Sequence, residues 1–215
     1  ADPEFINKAA AGRADEINTC IGCNQACLDH TFSGRLTSCL VNPRACYETE
    51  LNYIPTTAVK KIAVVGAGPA GLAAATVAAE RGHAVTLFDA ASQIGGQFNV
   101  AKLIPGKEEF YETLRYFARR IEATGVQLRL DTRVAAADLA EFDEVILATG
   151  IVPRTPAIPG VEHPRVIGYL DAILQRKPVG QKVAVIGAGG IGFDVSEFIC
   201  HAGESTSTDT GLFWK

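Results

Sequence analysis

A glycine-rich turn between an apolar run and an alanine-rich stretch restricts the possible folds of this chain more than any other feature. The turn has the sequence Gly-Ala-Gly-Pro-Ala-Gly at residues 66–71 and follows the apolar residues 62–65. A G-x-G-x-x-G turn that ends a strand and opens a helix is typical of dinucleotide-binding βαβ units. Gly66 allows the tight turn, Gly68 lets the backbone approach a pyrophosphate, and Gly71 lets helix and strand pack closely. The phosphates would then lie at a helix N-terminus, where free N–H groups favour anions.

An acidic residue lies at the position where such a unit usually binds the ribose of the dinucleotide. A second apolar run, 84–88, ends at Asp89, which lies 23 residues after Gly66. A carboxylate at this distance accepts hydrogen bonds from the ribose hydroxyls of the dinucleotide. The alternative for Asp89 is an ordinary solvated turn residue.

The rest of the chain alternates between strand and helix patterns. Phe110, Leu114, Phe117 and Ile121 recur at spacings of four, three and four, which predicts one face of a helix, and Gly125 ends it. Residues 126–130 and 144–148 are predicted strands. This alternation predicts an α/β fold with a doubly wound parallel sheet of the FAD/NAD(P)-binding, Rossmann type.

A second glycine turn repeats the first about 120 residues later. Gly187, Gly189 and Gly192 follow a predicted strand at 182–186 and open a helix that runs to about His201. Two such units suggest that one domain binds a flavin nucleotide and a related domain binds a nicotinamide nucleotide.

Four cysteines near the N-terminus have the spacing of an inorganic centre. Cys20, Cys23, Cys27 and Cys39 form a C-x2-C-x3-C-x11-C pattern. Four thiolates suit a [4Fe–4S] cluster, whereas zinc more often takes two separated C-x2-C pairs. Zinc stays an alternative, as do disulfides and unrelated buried thiols, although disulfides are disfavoured without a secretion signal. Cys46 and Cys200 lie outside the pattern and are assigned no role.

These motifs divide the chain into three predicted domains. Residues 1–58 form a small Cys-rich iron–sulfur segment, residues 59–178 an FAD-binding domain, and residues 179–215 the start of an NAD(P)H-binding domain. The sequence contains no methionine and ends shortly after the second glycine turn. We therefore expect it to be part of a longer polypeptide.

Composition excludes several classes of function. Apolar residues make up 47% and charged residues 20% of the chain, which is ordinary for a globular protein. The net charge of -4, with charges of both signs dispersed, predicts no nucleic-acid partner. No stretch suits a membrane span or a secretory signal, so we expect a cytoplasmic protein without a membrane partner.

Several segments resemble the iron–sulfur flavoenzyme family that includes bacterial 2,4-dienoyl-CoA reductase and trimethylamine dehydrogenase. The similarity covers nearly the whole chain and is carried by residues 21–27, 41–46, 95–98 (Gly-Gly-Gln-Phe), 148–150 (Ala-Thr-Gly) and 203–207 (Gly-Glu-Ser-Thr-Ser). The last of these favours the dienoyl-CoA reductase branch.

The resemblance implies a C-terminal part of a three-part enzyme. Such enzymes have a TIM barrel with FMN, then a Cys-ligated [4Fe–4S] cluster, then an FAD domain interrupted by an NADPH domain. Electrons pass from NADPH to FAD, through the cluster to FMN, and on to a 2,4-dienoyl-CoA thioester in the β-oxidation of unsaturated fatty acids. The acid–base residues lie on the barrel, so no catalytic residue is assigned to this chain, and the piece alone is expected to be inactive.

The resemblance also assigns cofactor contacts by position. It implies that the four cysteines bind the cluster and that Gly66, Gly68, Ala70, Gly71 and Asp89 contact FAD. It further places Gln97 near the flavin and the Val134 backbone near the adenine, with weaker assignments for Gln25, between cluster and flavin, and for Lys107, at FAD. For Gln97, Gln25 and Lys107, exposed turn residues are the alternative.

Two other interpretations stay open. An electron-input module related to the small subunit of glutamate synthase also couples FAD to iron–sulfur centres, but usually with more cluster cysteines. An inert nucleotide-binding or interaction module is the second alternative.

Overall fold

The computed structural model describes residues 1–214 and divides them into two compact units. The first unit contains Ala1–Gly96 and Glu109–Thr149, and the second contains Gln97–Glu108 and the residues from Gly150 onward. The predicted third domain ends at residue 215, which lies outside the described residues. The division into three functional domains stays a prediction, because the two units show only which residues pack together.

The first unit is built on a parallel sheet. Its strands are β1 (Lys61–Val65), β2 (Ala84–Phe88), β3 (Gln127–Arg129) and β4 (Glu144–Leu147), in the order β3-β2-β1-β4. All three neighbouring pairs are parallel. The predicted α/β class and parallel sheet are therefore confirmed, and the strands lie where the apolar runs predicted them.

Two long helices complete the core of this unit. They are α3 (Pro69–Glu80) and α5 (Glu109–Thr124), which contact each other. Val64 of β1, Leu72 of α3 and Leu87 of β2 are fully buried, and Ile121 of α5 joins the same cluster. The predicted helix is confirmed, and Phe117 and Ile121 of its apolar spacing pack in this core.

The remaining elements of the first unit are short. The N-terminal part contains α1 (Phe5–Ala10), a 3-10 turn (Ala14–Glu16), and a single π-helical turn (Gln25–Asp29) that continues into α2 (His30–Phe32). A second 3-10 turn spans Ala136–Leu139. The cysteine-rich segment is therefore held mainly by turns and side-chain contacts.

The second unit has its own small apolar cluster. Its helices are α4 (Phe98–Ala101), α6 (Tyr169–Ile173), α7 (Gly190–Cys200) and α8 (Thr210–Phe213). Val100, Ile104 and Ile173 are buried together, with Val195 and Phe198 of α7 packed against them.

The strand predicted at 182–186 is wrong for this structure. Among residues 1–214 this segment pairs with no other strand, and the sheet has only the four strands given above. An apolar run becomes a strand only when a neighbour completes its ladder of hydrogen bonds, so the pattern was not sufficient.

No helix in residues 1–214 has both the length and the apolar character that crossing a bilayer requires.

Candidate functional site

The first glycine turn brings backbone atoms closer together than any side chain permits. Gly66 has φ +108°, and a Cβ there would lie 2.2 Å from the carbonyl oxygen of Ala148. A Cβ on Gly71 would lie 1.7 Å from the carbonyl oxygen of Gly66. Glycine is therefore required at both positions, which explains the first and third glycines of the motif.

The N-terminus of α3 is open to an anion. Gly68 is its N-cap and supplies no side-chain cap, and Pro69 follows at the first helical position. The N–H groups of the first turn, including those of Ala70 and Gly71, have no intrahelical partner. Uncapped N–H groups at the positive end of a helix fit a pyrophosphate.

A second pair of glycines lies against this turn. The N–H of Gly95 donates to the carbonyl oxygen of Ala67 at 2.8 Å. A Cβ on Gly96 would lie 3.0 Å from the Cα of Gly68. The sequence resemblance singled out Gly95 and Gly96, but only the structure shows that they pack on the first turn.

Asp89 directly follows β2, where the sequence placed it, and its carboxylate contacts the glycine turn. Its Oδ2 accepts a hydrogen bond from the Ala67 N–H at 2.6 Å, and its Oδ1 accepts from the Ala91 N–H at 2.8 Å. Each carboxylate oxygen retains a further lone pair for a ribose hydroxyl. Ribose binding by Asp89 stays a prediction.

Val134 lies in the wall of an open cavity that begins next to Asp89. Phe88, Thr132, Asp138 and Glu141 line the same cavity. This wall is mixed apolar and polar, as the edge and face of an adenine require. The assignment of the Val134 backbone to adenine stays a prediction.

The second glycine turn has the same local geometry as the first. Gly187 has φ +123°, and a Cβ on Gly192 would lie 2.0 Å from the carbonyl oxygen of Gly187. Gly189 is the N-cap of α7 and supplies no side-chain cap. The turn predicted for a second nucleotide thus forms even though residues 182–186 are not a strand.

Replacing Gly192 by alanine is expected to open this second turn and to leave the first glycine turn unchanged. The added Cβ would overlap the Gly187 carbonyl, so the N-terminus of α7 must move away. We expect amide exchange in α7 to rise at least about tenfold, which corresponds to a loss of about 1.4 kcal/mol. Gly180→Ala is the control, because a Cβ there meets nothing within 4 Å. Full protection of α7 in Gly192→Ala would contradict the close packing.

The four predicted ligand cysteines are free thiols in the first unit. Cys20 is exposed, and Cys23, Cys27 and Cys39 are half-buried. No three His, Cys, Asp or Glu side chains within residues 1–214 lie close enough together for a metal ion. The sulfur ligands of a single tetrahedral zinc ion lie about 3.8 Å apart, because each Zn–S bond is about 2.3 Å long. A [4Fe–4S] cluster binds each of its four thiolates on a different iron, so its sulfur ligands lie farther apart. The set of four soft thiolates fits a cluster, which stays a prediction.

The loop between the first three cysteines has a distinctive backbone. Gly22 and Asn24 both adopt left-handed conformations, with φ +65° and +57°. The Gly22 N–H points at Cys20 Sγ, at 3.4 Å. Gln25 is exposed and opens the π-helical turn that carries Cys27. A backbone N–H that donates to a ligand sulfur is one of the features that set cluster potentials.

The chain segment that leads to Cys39 is hydrogen-bonded to the helical turn that carries Cys27. The Ser38 N–H donates to the carbonyl oxygen of Ala26 at 2.7 Å, and the hydroxyls of Thr31 and Thr37 lie 2.7 Å apart. The chain just before Cys39 is therefore tied to the helical turn that carries Cys27.

Gln97 and Lys107 both lie in the second unit and have partners there. The Tyr169 hydroxyl donates to Gln97 Oε1 at 3.4 Å, and Lys107 Nζ lies 2.5 Å from Asp194 Oδ1 in α7. Lys107 thus pairs with the helix of the second glycine turn. Its assignment to FAD stays a prediction, with this ion pair as the structural alternative.

Glu108, next to Lys107, is hydrogen-bonded by residues that follow α7. Burial alone would raise the pKa of this carboxyl group, but hydrogen bonds from Ser205 and Ser207 lower its pKa overall. Glu108 is therefore held as a carboxylate by the segment that follows α7.

A family model and several known proteins match this chain. The model described as pyridine nucleotide-disulphide oxidoreductase matches residues 60–208. A metal reductase from Desulforamulus reducens is 40% identical over 94% of this chain and 31% of its own length. A cinnamate reductase from Clostridium sporogenes is 32% identical over 96% of this chain and 31% of its own length.

A solved structure is also similar to this chain in its fold. The 2-naphthoyl-CoA reductase in complex with 2-naphthoyl-CoA matches with a TM-score of 0.88 and 35% identity, over 93% of this chain and 31% of that one. The chain therefore spans about a third of the length of the relatives it matches.

Proposed function

The chain belongs to the pyridine nucleotide-disulphide oxidoreductase family, and we propose that it is the electron-input part of an NADPH-dependent flavoprotein reductase. The observation that carries this proposal is the pair of glycine turns with the same geometry. A Cβ would lie 1.7 Å from a turn carbonyl at Gly71 and 2.0 Å from one at Gly192. Two such turns supply one site for FAD and one for NADPH.

FAD is assigned to the first unit. Its pyrophosphate would bind at Gly66, Gly68 and the uncapped N–H groups of α3, and Asp89 would accept from its ribose hydroxyls. Bound FAD can take a hydride from NADPH and pass on its two electrons one at a time. The protein orients both nucleotides, with Gly187, Gly189 and Gly192 on the NADPH side.

A [4Fe–4S] cluster on Cys20, Cys23, Cys27 and Cys39 would take the single electrons. Four thiolates suit iron–sulfur chemistry, and the Gly22 N–H donates a hydrogen bond to Cys20 Sγ, as backbone N–H groups do to cluster sulfurs. In the complete polypeptide the electrons would continue to FMN in a barrel domain.

The proposed substrate of the complete enzyme is a 2,4-dienoyl-CoA thioester, reduced in the cytoplasm. Two relatives support this class of chemistry by name, a cinnamate reductase and a 2-naphthoyl-CoA reductase. Both names describe reduction of a conjugated system, and the second includes a CoA thioester. The substrate class rests on these names and on the sequence resemblance.

The test is anaerobic purification with analysis of iron, acid-labile sulfide and flavin on one sample. We expect about four irons, about four sulfides and about one FAD per chain. Zinc without flavin would overturn the proposal. For the substrate, the complete polypeptide is mixed with NADPH and either a 2,4-dienoyl-CoA or a saturated acyl-CoA of equal length. NADPH consumption with both or neither would exclude the proposed substrate class.

A further inference from the structure

Arg115 of α5 holds the chain segment that leads into Cys20. We call residues 14–19 the entry segment. Arg115 Nη2 donates to the carbonyl oxygen of Ile17 at 2.9 Å and to Thr19 Oγ1 at 3.2 Å, and Nη1 donates to the carbonyl oxygen of Asp15. Nη1 also reaches the carbonyl oxygen of Ala14 at 3.5 Å, so one guanidinium binds four acceptors within the six residues that precede a predicted ligand.

Arg119, one helical turn further along α5, adds two ion pairs to the same segment. Its Nε lies 3.1 Å from Asp15 Oδ2, and its Nη2 lies 3.3 Å from Glu16 Oε1. The entry segment is therefore bound to α5 through both its backbone and its side chains.

The entry segment is also tied to the far end of the cysteine motif. Asn18 is buried, and its Nδ2 donates to the carbonyl oxygen of Val41 at 2.7 Å. Val41 lies two residues after Cys39. The position of the entry segment thus determines where Cys20 and the chain after Cys39 lie relative to α5.

The same helix is part of the core that carries the first glycine turn. Ile121 of α5 packs in one cluster with Leu72 of α3 and Val64 of β1. Gly71 lies on α3, next to Leu72. One rigid helix therefore contacts both the entry segment and the helix whose N-terminus faces the proposed FAD pyrophosphate.

We propose that Arg115 is a positioning residue that fixes the cluster-binding segment on the flavin-binding unit, so that cluster and flavin keep a constant separation. This inference rests on the proposed function. Arginine suits the task because its planar fork presents five N–H donors, whereas lysine offers one point charge. Electron transfer between two centres slows steeply as their separation grows, so a loosened entry segment would slow the step.

The test compares Arg115→Gln with Arg120→Gln in the full chain reconstituted with iron, sulfide and FAD. Arg120 lies on the same helix, but its guanidinium pairs with Glu80 of α3 at 2.8 Å. In Arg115→Gln we expect amide exchange of residues 14–20 to rise at least about tenfold, from the loss of hydrogen bonds to a charged group. Arg120→Gln should leave this exchange unchanged, and Arg115→Lys should restore part of the protection.

The second measurement follows the rate of electron transfer from flavin to cluster. After NADPH addition, flavin bleaching in Arg115→Gln should match wild type, while cluster reduction should slow at least about tenfold. Equal exchange in the two glutamine variants, or raised exchange with an unchanged rate of cluster reduction, would overturn the inference. A wild-type chain without iron or FAD would instead overturn the proposed function, and the exchange data alone would then decide whether Arg115 anchors the segment.

Discussion

Replacing Gly71 by alanine is expected to leave the chain without FAD and to destabilise the first unit strongly. The added Cβ would lie 1.7 Å from the Gly66 carbonyl oxygen and 3.4 Å from the Ala148 Cβ. Helix α3 would have to move away from β1, which exposes Leu72 and the core around it. We expect a loss of about 4 kcal/mol or more, a large part of the about 5–15 kcal/mol that stabilises a domain. Thermal unfolding and the flavin content of the purified protein measure the effect.

Gly68→Ala provides the matched control in the same turn. A Cβ on Gly68 would lie 4.0 Å from the Gly96 Cα, an ordinary contact, and its φ of -74° suits any residue. This variant should keep the wild-type Tm but bind FAD more weakly, because the Cβ lies where the pyrophosphate approaches. Gly71→Ala should lower Tm by about 10 °C. Equal Tm and equal flavin content in Gly71→Ala and wild type would contradict the close packing of α3 on β1.

The sheet could be predicted because local pattern and tertiary structure agree in it. The apolar run 84–88 became β2 with the same bounds, and the predicted helix around Ile121 became α5, which ends at Thr124 just before Gly125. Gly66 directly follows β1 and Gly125 directly follows α5, so these ends could be placed without knowledge of the neighbouring elements.

The strand predicted at 182–186 shows the limit of such patterns. Its residues have the same apolar character as 62–65, and the turn that follows it folds as predicted. The two segments differ in their pairing partners. Strand β1 pairs with β2 and β4, whereas residues 182–186 pair with no strand among the described residues. A strand depends on its partners, and periodicity contains no information about them.

Within the candidate site, local motifs were predictable and long-range contacts were not. The place of Asp89 at the glycine turn followed from its distance to Gly66, because a βαβ unit fixes that geometry. The anchoring of residues 14–19 by Arg115 and Arg119 was not predicted, since it joins segments about 100 residues apart. Two arginines one helical turn apart are ordinary on an exposed helix face, so no sequence pattern indicated that Arg115 binds backbone carbonyls and that Arg119 binds carboxylates of this segment.

Replacing Cys27 by serine is expected to remove the iron–sulfur centre and to leave FAD in place. Serine has nearly the same shape, so the hydrogen bond from Thr31 Oγ1 to the carbonyl oxygen of residue 27, at 2.9 Å, should remain. A hydroxyl does not replace a thiolate as a ligand of iron, and three remaining thiolates hold a cluster poorly. We expect iron and sulfide to fall from about four each to below about one per chain, with visible absorption from flavin alone.

Cys46→Ser is the control for this prediction, because Cys46 is an exposed free thiol in the same segment but lies outside the spacing. Its N–H bond to Glu48 Oε1, at 3.1 Å, does not involve the sulfur and should persist. Cys46→Ser should therefore keep the iron, sulfide and flavin content of the wild type. Loss of the cluster in both variants would mean that the ligand set differs from Cys20, Cys23, Cys27 and Cys39. Loss of zinc rather than iron in Cys27→Ser would support the same four ligands but exclude their role in electron transfer, because zinc has no redox chemistry.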